Sequence, residues 1–365
     1  MKKLLAIISF LILTFAAYKF FAHRQSNPSQ QKPTVKIGMS LPLTGNLAQI
    51  GNAIKDVIAL AKNEIPSDSK YNYEFFIEDD GYEPRRMALM NNLMISTHKV
   101  DALFTIWGTA ANITAPLAEK NKIIHINCGW GGDIYGQFKY SFHHSPSTRS
   151  QAKALTTLLR DKNIKTISIV SINYALFDEI MKYVRPNFAE AGIKILSTDL
   201  VNMKTYDYRM IIAKLKETNP DIILILLDKP ELGAFGKQAA EMKLNKPFTS
   251  IDVIIEAENL SLYEGSEFIM APIGSPEFIT KFKKISDNNI EVCLANFYDM
   301  VKIIYNTYEQ FDDKPTPEQI VDALHQIKNY DSPVGAKLTV DQNGNIDSDL
   351  IRAKIQNGQI DGIRD

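Results

Sequence analysis

The stretch Asp221-Ile222-Ile223-Leu224-Ile225-Leu226-Leu227-Asp228-Lys229-Pro230 decides the class of fold. Side chains along a strand point alternately to opposite faces, so a run that is apolar at every position is buried on both. Such a strand belongs in a parallel sheet covered by helices on each side. Its flanks agree. Tyr208 to Thr218 and Pro230 to Met242 both carry helical periodicity.

The same rhythm extends outward. Before it stand a helix from Ser150 to Asp161, a strand from Thr166 to Ser171, a helix from Phe177 to Ala191 and a strand from Lys194 to Thr198. After it comes the strand Phe248 to Ser250. An equivalent series opens the chain: strand Val35 to Ser40, then a helix from Asn52 to Ile65 with Ile54, Val57, Ile58 and Ala61 on one face. Strand Tyr71 to Ile77, helix Glu83 to His98, strand Val100 to Ile106, helix Ala110 to Glu119 and strand Ile123 to Ile126 follow. One sheet holding all these strands would be very large, and 365 residues suit two domains. The tail breaks the rhythm with helices Val292 to Gln310 and Pro317 to Ile327. A turn at Asp341 to Asn345 and a hairpin at Asn357-Gly358 close it.

Charge excludes one class of partner. Lys and Arg total 41 against 42 Asp and Glu, a net charge of -1, which leaves no basic footprint for nucleic acid. The two cysteines, Cys128 and Cys293, make neither a metal-ligand spacing nor a disulfide framework. Cys128 reads as a buried, inert thiol. Residues 1–32 differ from the rest: Lys2-Lys3, an apolar run from Leu4 to Tyr18, then Lys19 and Phe20-Phe21-Ala22. This pattern is that of a secretory signal. Because Lys19 to Phe21 are not small, an uncleaved membrane anchor stands as the alternative.

Lys36-Ile37-Gly38 through Pro42-Leu43-Thr44-Gly45, with Gly51 inside the next helix, resembles the opening of the type I periplasmic solute-binding proteins, in the leucine/isoleucine/valine-binding subgroup that serves ABC importers. Glu78-Asp79-Asp80, Pro84, Val100 to Gly108, Lys122 to Gly131, Pro220 to Gly233 and Phe297-Tyr298-Asp299 agree in order and spacing. The resemblance implies two doubly wound α/β lobes with parallel central sheets, joined by a three-strand hinge. Lobe one would hold 33–145 and 272–332, and lobe two 146–271 and 333–365. It further implies an exported, monomeric carrier that closes on a small polar metabolite, an amino acid or a relative, and passes it to ABC permease subunits. A membrane-tethered sensor of the same fold is the alternative role.

The candidate ligand contacts follow strand ends. Gly108, Thr109 and Ala110 open a helix, where free N–H groups suit a carboxylate, and the resemblance places the ligand's carboxylate here. The plainer reading makes Thr109 a helix cap. Gly129 and Gly131 permit close backbone approach, and Trp130 offers either a wall for the ligand or a packed aromatic. Asp252 resembles the family's acid for the ligand's ammonium, against a solvated loop acid. Asp228 and Lys229 stand where the family often has an aromatic, which suggests a more polar ligand or a salt bridge across the lip. Tyr174 is placed near a ligand-contacting tyrosine of the family, within a residue or two of Leu176 and Phe177. Ile50 stands at a side-chain selector position. Tyr82 and Trp107 replace a disulfide that relatives can carry, and two aromatics can pack across that gap.

His143-His144 does not read as a metal site, because neighbours on a strand face opposite ways. Hinge packing is expected instead. The motifs of the common nucleophilic, zinc and nucleotide-binding enzymes are missing. The sequence therefore points to a binding protein with neither catalysis nor a cofactor, working as a monomer.

Overall fold

The computed structural model describes residues 32–129, 134, 136–288 and 292–363. The segment expected to be a signal or anchor, and the expected contacts Trp130 and Gly131, lie outside the described residues.

The chain opens with β1 (Thr34–Leu41), α1 (Ala48–Asn63), β2 (Asn72–Asp79), α2 (Pro84–Leu93), β3 (Ala102–Ile106), α3 (Trp107–Asn121), β4 (Ile124–Cys128) and β5 (Ser141–His143). The five strands form a wholly parallel sheet in the order β2-β1-β3-β4-β5. There follow α4 (Thr148–Asp161), β6 (Thr166–Ile172), α5 (Ala175–Glu190), β7 (Lys194–Val201), α6 (Arg209–Thr218), β8 (Ile222–Leu226), α7 (Lys229–Glu241) and β9 (Phe248–Thr249). Their strands make a second parallel sheet, β7-β6-β8-β9. The apolar run that suggested this arrangement behaves as expected. Ile223, Ile225 and Leu227 enter one core while Ile222, Leu224 and Leu226 enter the core on the opposite face.

The remainder comprises β10 (Glu267–Met270), α8 (Pro276–Phe282), α9 (Leu294–Tyr308), α10 (Pro317–His325), β11 (Tyr330–Asp331), β12 (Lys337–Val340), β13 (Ile346–Ser348), β14 (Ile351–Gln356) and β15 (Gln359–Ile363). Helices α8 to α10 fill the first core against β1, β3 and β4. Strands β14 and β15 form the expected hairpin, with Asn357 and Gly358 both at positive φ as a two-residue turn requires. The hairpin pairs with β10, a strand without a clear sequence signal.

The chain passes between the first core and the second pair of cores three times: between Phe142 and Ala152, between Met270 and Phe278, and between Ile346 and Ile351. The last passage corrects the expected boundary at residue 333. Val334, Leu338, Val340 and Ile346 pack in the first core, and from Leu350 onward the chain joins the lobe-two cores. The buried side chains of β12 and β13 thus belong to the first core, not to that of the hairpin.

A half-buried carboxylate, Asp347, and a buried one, Asp299, staple these passages. Asp347 accepts from the Ser147 backbone N–H (3.3 Å), the Ser147 hydroxyl (3.1 Å) and the Ser150 hydroxyl (2.5 Å), joining the first and third passages. His144 donates through Nε2 to Asp299 at 2.6 Å, and its Nδ1 lies 3.0 Å from the Asn296 amide nitrogen. His143, facing the other way, reaches the Gly129 carbonyl through Nε2 at 2.6 Å. The two histidines thus pack the first passage from both sides.

Cys128 and Cys293 are joined in a disulfide, with Cα atoms 5.8 Å apart. This corrects the expectation of a free buried thiol. They stand 165 positions apart in the chain, with α4 to β10 between them, so their proximity is a product of the fold.

Candidate ligand-binding cleft

In open parallel sheets, ligands sit beyond the carboxyl ends of the strands. In lobe one the ends of β1 to β4 lie side by side. Asp79, last in β2, fixes the loop after β1: it accepts from the backbone N–H groups of Leu43 (2.9 Å), Thr44 (3.2 Å) and Gly81 (2.9 Å), the Thr44 hydroxyl (2.7 Å) and Arg86 (2.9 Å). Burial alone would raise its pKa, but these donors outweigh burial and hold it at about 2. Gly51 completes the arrangement, since a Cβ there would lie 2.1 Å from the Pro42 carbonyl oxygen.

Strand β3 runs into α3 without a connecting loop. Ile106 is the N-cap and makes no side-chain cap, and Trp107 opens the helix at φ 63. That conformation is uncommon and costly for a bulky residue, and it persists only when neighbours hold it. Tyr82 packs edge-on against the Trp107 ring at 5.1 Å, which is the aromatic contact expected in place of a disulfide. Gly129, at φ 97, lets the indole approach so closely that an added Cβ would lie 2.7 Å from Trp107 Cδ1. The ends of β2, β3 and β4 are therefore one packed unit. Thr109 does not cap the helix; it lies in the first turn and is exposed, with Gly108 half-buried and Ala110 buried. The first-turn N–H groups make this end of α3 electropositive. Ile50 is buried in the first core, which leaves only a narrow edge to select a side chain.

Lobe two presents the opposite sign. Phe177 belongs to the core, whereas Tyr174, at the end of β6, is half-buried and packs at the edge of both lobe-two cores. Burial, followed by the charges of Asp228 and Glu256, pushes its phenol pKa up. Asp228 is the N-cap of α7 but makes no capping bond, and no hydrogen bond or ion pair reaches its carboxylate among the described residues. The salt bridge to Lys229 allowed by the sequence does not form. Burial and then Glu231 raise the Asp228 pKa. A half-buried carboxylate without a partner, next to a phenol and a second acid, is suited to a cation. Glu256, which follows the end of β9, was not singled out in the sequence because it lies in an irregular segment without periodicity.

Asp252 has a different setting from either sequence reading. It is buried, at φ 57, and accepts from Gln151 Nε2 at 2.8 Å and the Ala271 N–H at 2.6 Å. Ala271 lies at the second interlobe passage and Gln151 in the first turn of α4. Burial raises the Asp252 pKa to about 6 against the pull of these donors. Its oxygens serve the hinge, and it is not a solvated loop acid.

A family described as Periplasmic binding protein matches residues 34–359. A Leucine-, isoleucine-, valine-, threonine-, and alanine-binding protein of Pseudomonas aeruginosa is 20% identical over 333 residues, covering 87% of this chain and 88% of its own. Among solved structures, a solute binding protein of an ABC transporter from Rhodopseudomonas palustris BisB5, in complex with 3,4-dihydroxy benzoic acid, superposes with a TM-score of 0.76 at 20% identity, over 90% of this chain and 96% of that one. A branched-chain amino acid transporter substrate binding protein from Streptococcus pneumoniae, in complex with isoleucine, gives 0.74 at 19% identity, over 91% and 100%. At these identities the superpositions establish the shared fold.

Proposed function

The chain belongs to the periplasmic binding protein family, and on that premise we propose that it captures an α-amino acid or close relative between its lobes and delivers it to an ABC permease. One observation carries the reading. The start of α3 offers free N–H groups to a carboxylate, while Asp228, beside Tyr174, offers an unpaired negative charge to an ammonium. A zwitterion satisfies both halves at once, and hinge closure would exclude water from the pairing. The solved relatives include one with isoleucine and one with a dihydroxybenzoate. Asp228 favours the first chemistry, because a benzoate has no cation to give it.

The ligand stays chemically unchanged in this proposal, and capture takes place outside the cytoplasm. The apolar segment from Leu4 to Tyr18 supplies export, by a cleaved signal or as an anchor. Its non-small Lys19 to Phe21 leaves the anchor as the alternative, which would suit a sensor reporting to a partner; N-terminal sequencing of the exported protein separates the two. The ligand reading is tested by a thermal-shift screen over amino acids, amides and benzoates, since ligands that bind the native state raise apparent stability. Stabilisation by amino acids and not by benzoates is the expected result. The reverse pattern would dismiss the zwitterion.

A further inference from the structure

The disulfide joins two places that each matter to the cleft. Cys128 is the last residue of β4, and the next residue is Gly129, whose missing side chain admits Trp107. Cys293 is the N-cap of α9. One turn further on, Asn296 meets His144 Nδ1 and the His144 carbonyl oxygen, both at 3.0 Å, and Asp299 accepts from His144 Nε2 at 2.6 Å. His143, adjacent in the chain, turns back to the Gly129 carbonyl at 2.6 Å. The contacts close a ring. It runs from the loop after β4 to the first interlobe passage, on to the head of α9, and through the sulfur–sulfur bond back to β4.

Every link in this ring except one is a hydrogen bond within lobe one, and such bonds exchange readily when their supports shift. The covalent link fixes the distance between β4 and α9, and so fixes where His143 can meet Gly129. Burial holds the His143 pKa down at about 4, despite the Gly129 carbonyl, so the His143 imidazole is neutral near pH 7. With a carbonyl as its partner, Nε2 is the protonated nitrogen.

We infer that the Cys128–Cys293 disulfide holds Gly129 against Trp107 at the head of α3, so that ligand affinity depends on the redox state of this pair. A dithiol reductant supplies the chemistry. Its thiolate attacks one sulfur, the Cys128–Cys293 bond breaks, each released sulfur is protonated, and the reductant leaves as its own disulfide. The inference rests on the ligand reading above for its affinity readout alone.

The test compares oxidised protein, protein reduced with dithiothreitol and verified by mass spectrometry, and a Cys128→Ser/Cys293→Ser double variant. L-Leucine, L-threonine and L-alanine serve as probes in calorimetry, and hydrogen exchange is followed without ligand. Reduction or substitution is expected to weaken probe binding by about tenfold or more. Exchange should quicken at 124–129 and 141–144, while lobe two and the far-ultraviolet circular dichroism stay unchanged. Equal affinity and equal exchange in both redox states would overturn the inference. So would loss of the whole circular dichroism signal on reduction, because the bond would then be a general staple. If no probe binds even the oxidised protein, the amino-acid reading fails separately, and the exchange of the two segments decides the inference.

Discussion

Three carboxylates show how much the surroundings of one residue decide. Asp79, Asp228 and Asp252 all stand at or just beyond strand ends, and the sequence gives no means of ranking them. The structure surrounds Asp79 with donors, leaves Asp228 unpaired and commits Asp252 to Gln151 and Ala271. Asp228→Ala is therefore expected to abolish amino-acid-induced thermal shifts while leaving the melting temperature of the free protein nearly unchanged. Asp252→Ala is expected to do the opposite first. It strands two buried donors, at a cost of about 1–3 kcal/mol, and any effect on affinity follows from a loosened hinge. Identical behaviour of the two variants would refute the division of roles. The two engaged acids also differ in sign against pH. Asp252 holds its proton more tightly when folded, about 6 against 3.8, so its contribution to stability is complete below 3.8 and lost as pH rises through 6. Asp79 is depressed to about 2, so its contribution is present above 3.8 and lost as pH falls toward 2. Urea midpoints measured from pH 3 to 7 should show a flatter slope near pH 4 to 6 in Asp252→Asn, and a flatter slope in the acid limb in Asp79→Asn.

Among elements, the strands were the most legible and the site loops the least. Strand β8 declared itself by an unbroken apolar run, and the hairpin of β14 and β15 by Asn357-Gly358. Helix α3 was placed from Ala110 by periodicity but begins at Trp107. Its first residue stands at φ 63 through contacts with Tyr82 and Gly129, and no local preference signals such a turn. The candidate residues Gly108, Thr109 and Ala110 lie in the opening turn of this helix, where no side chain caps the N–H groups of Gly108 and Thr109, while Ala110 already belongs to the helical ladder. This unit makes a further prediction. Gly129→Ala places a Cβ against the indole at a positive φ, and should cost about 1–3 kcal/mol of stability. It should weaken ligand binding more than Gly192→Ala, at a positive φ with open space around it. Equal effects in denaturant melts and calorimetry would show that Trp107 and Gly129 do not act together.

At the scale of the molecule, two lobes with separate cores were legible because βα units repeat and 365 residues exceed one sheet's capacity. The contacts that fix lobe one and its crossings to lobe two were not. The disulfide, the Asp347 staple and the His143-His144 pair connect residues far apart in sequence, and no spacing rule predicts a contact that the whole fold must first create. The boundary near 333 was misplaced for the same reason, since β12 and β13 pack in the first core. Two cores joined by three short connections form the frame on which the proposed closure rests. The central claim is that an amino acid held by both halves draws them together. Small-angle X-ray scattering with and without a saturating amino acid, chosen as the strongest stabiliser in the thermal screen, tests it most directly. The account predicts a smaller radius of gyration with ligand in the native chain and no contraction in Asp228→Ala. An unchanged radius in the native chain at full occupancy would contradict it.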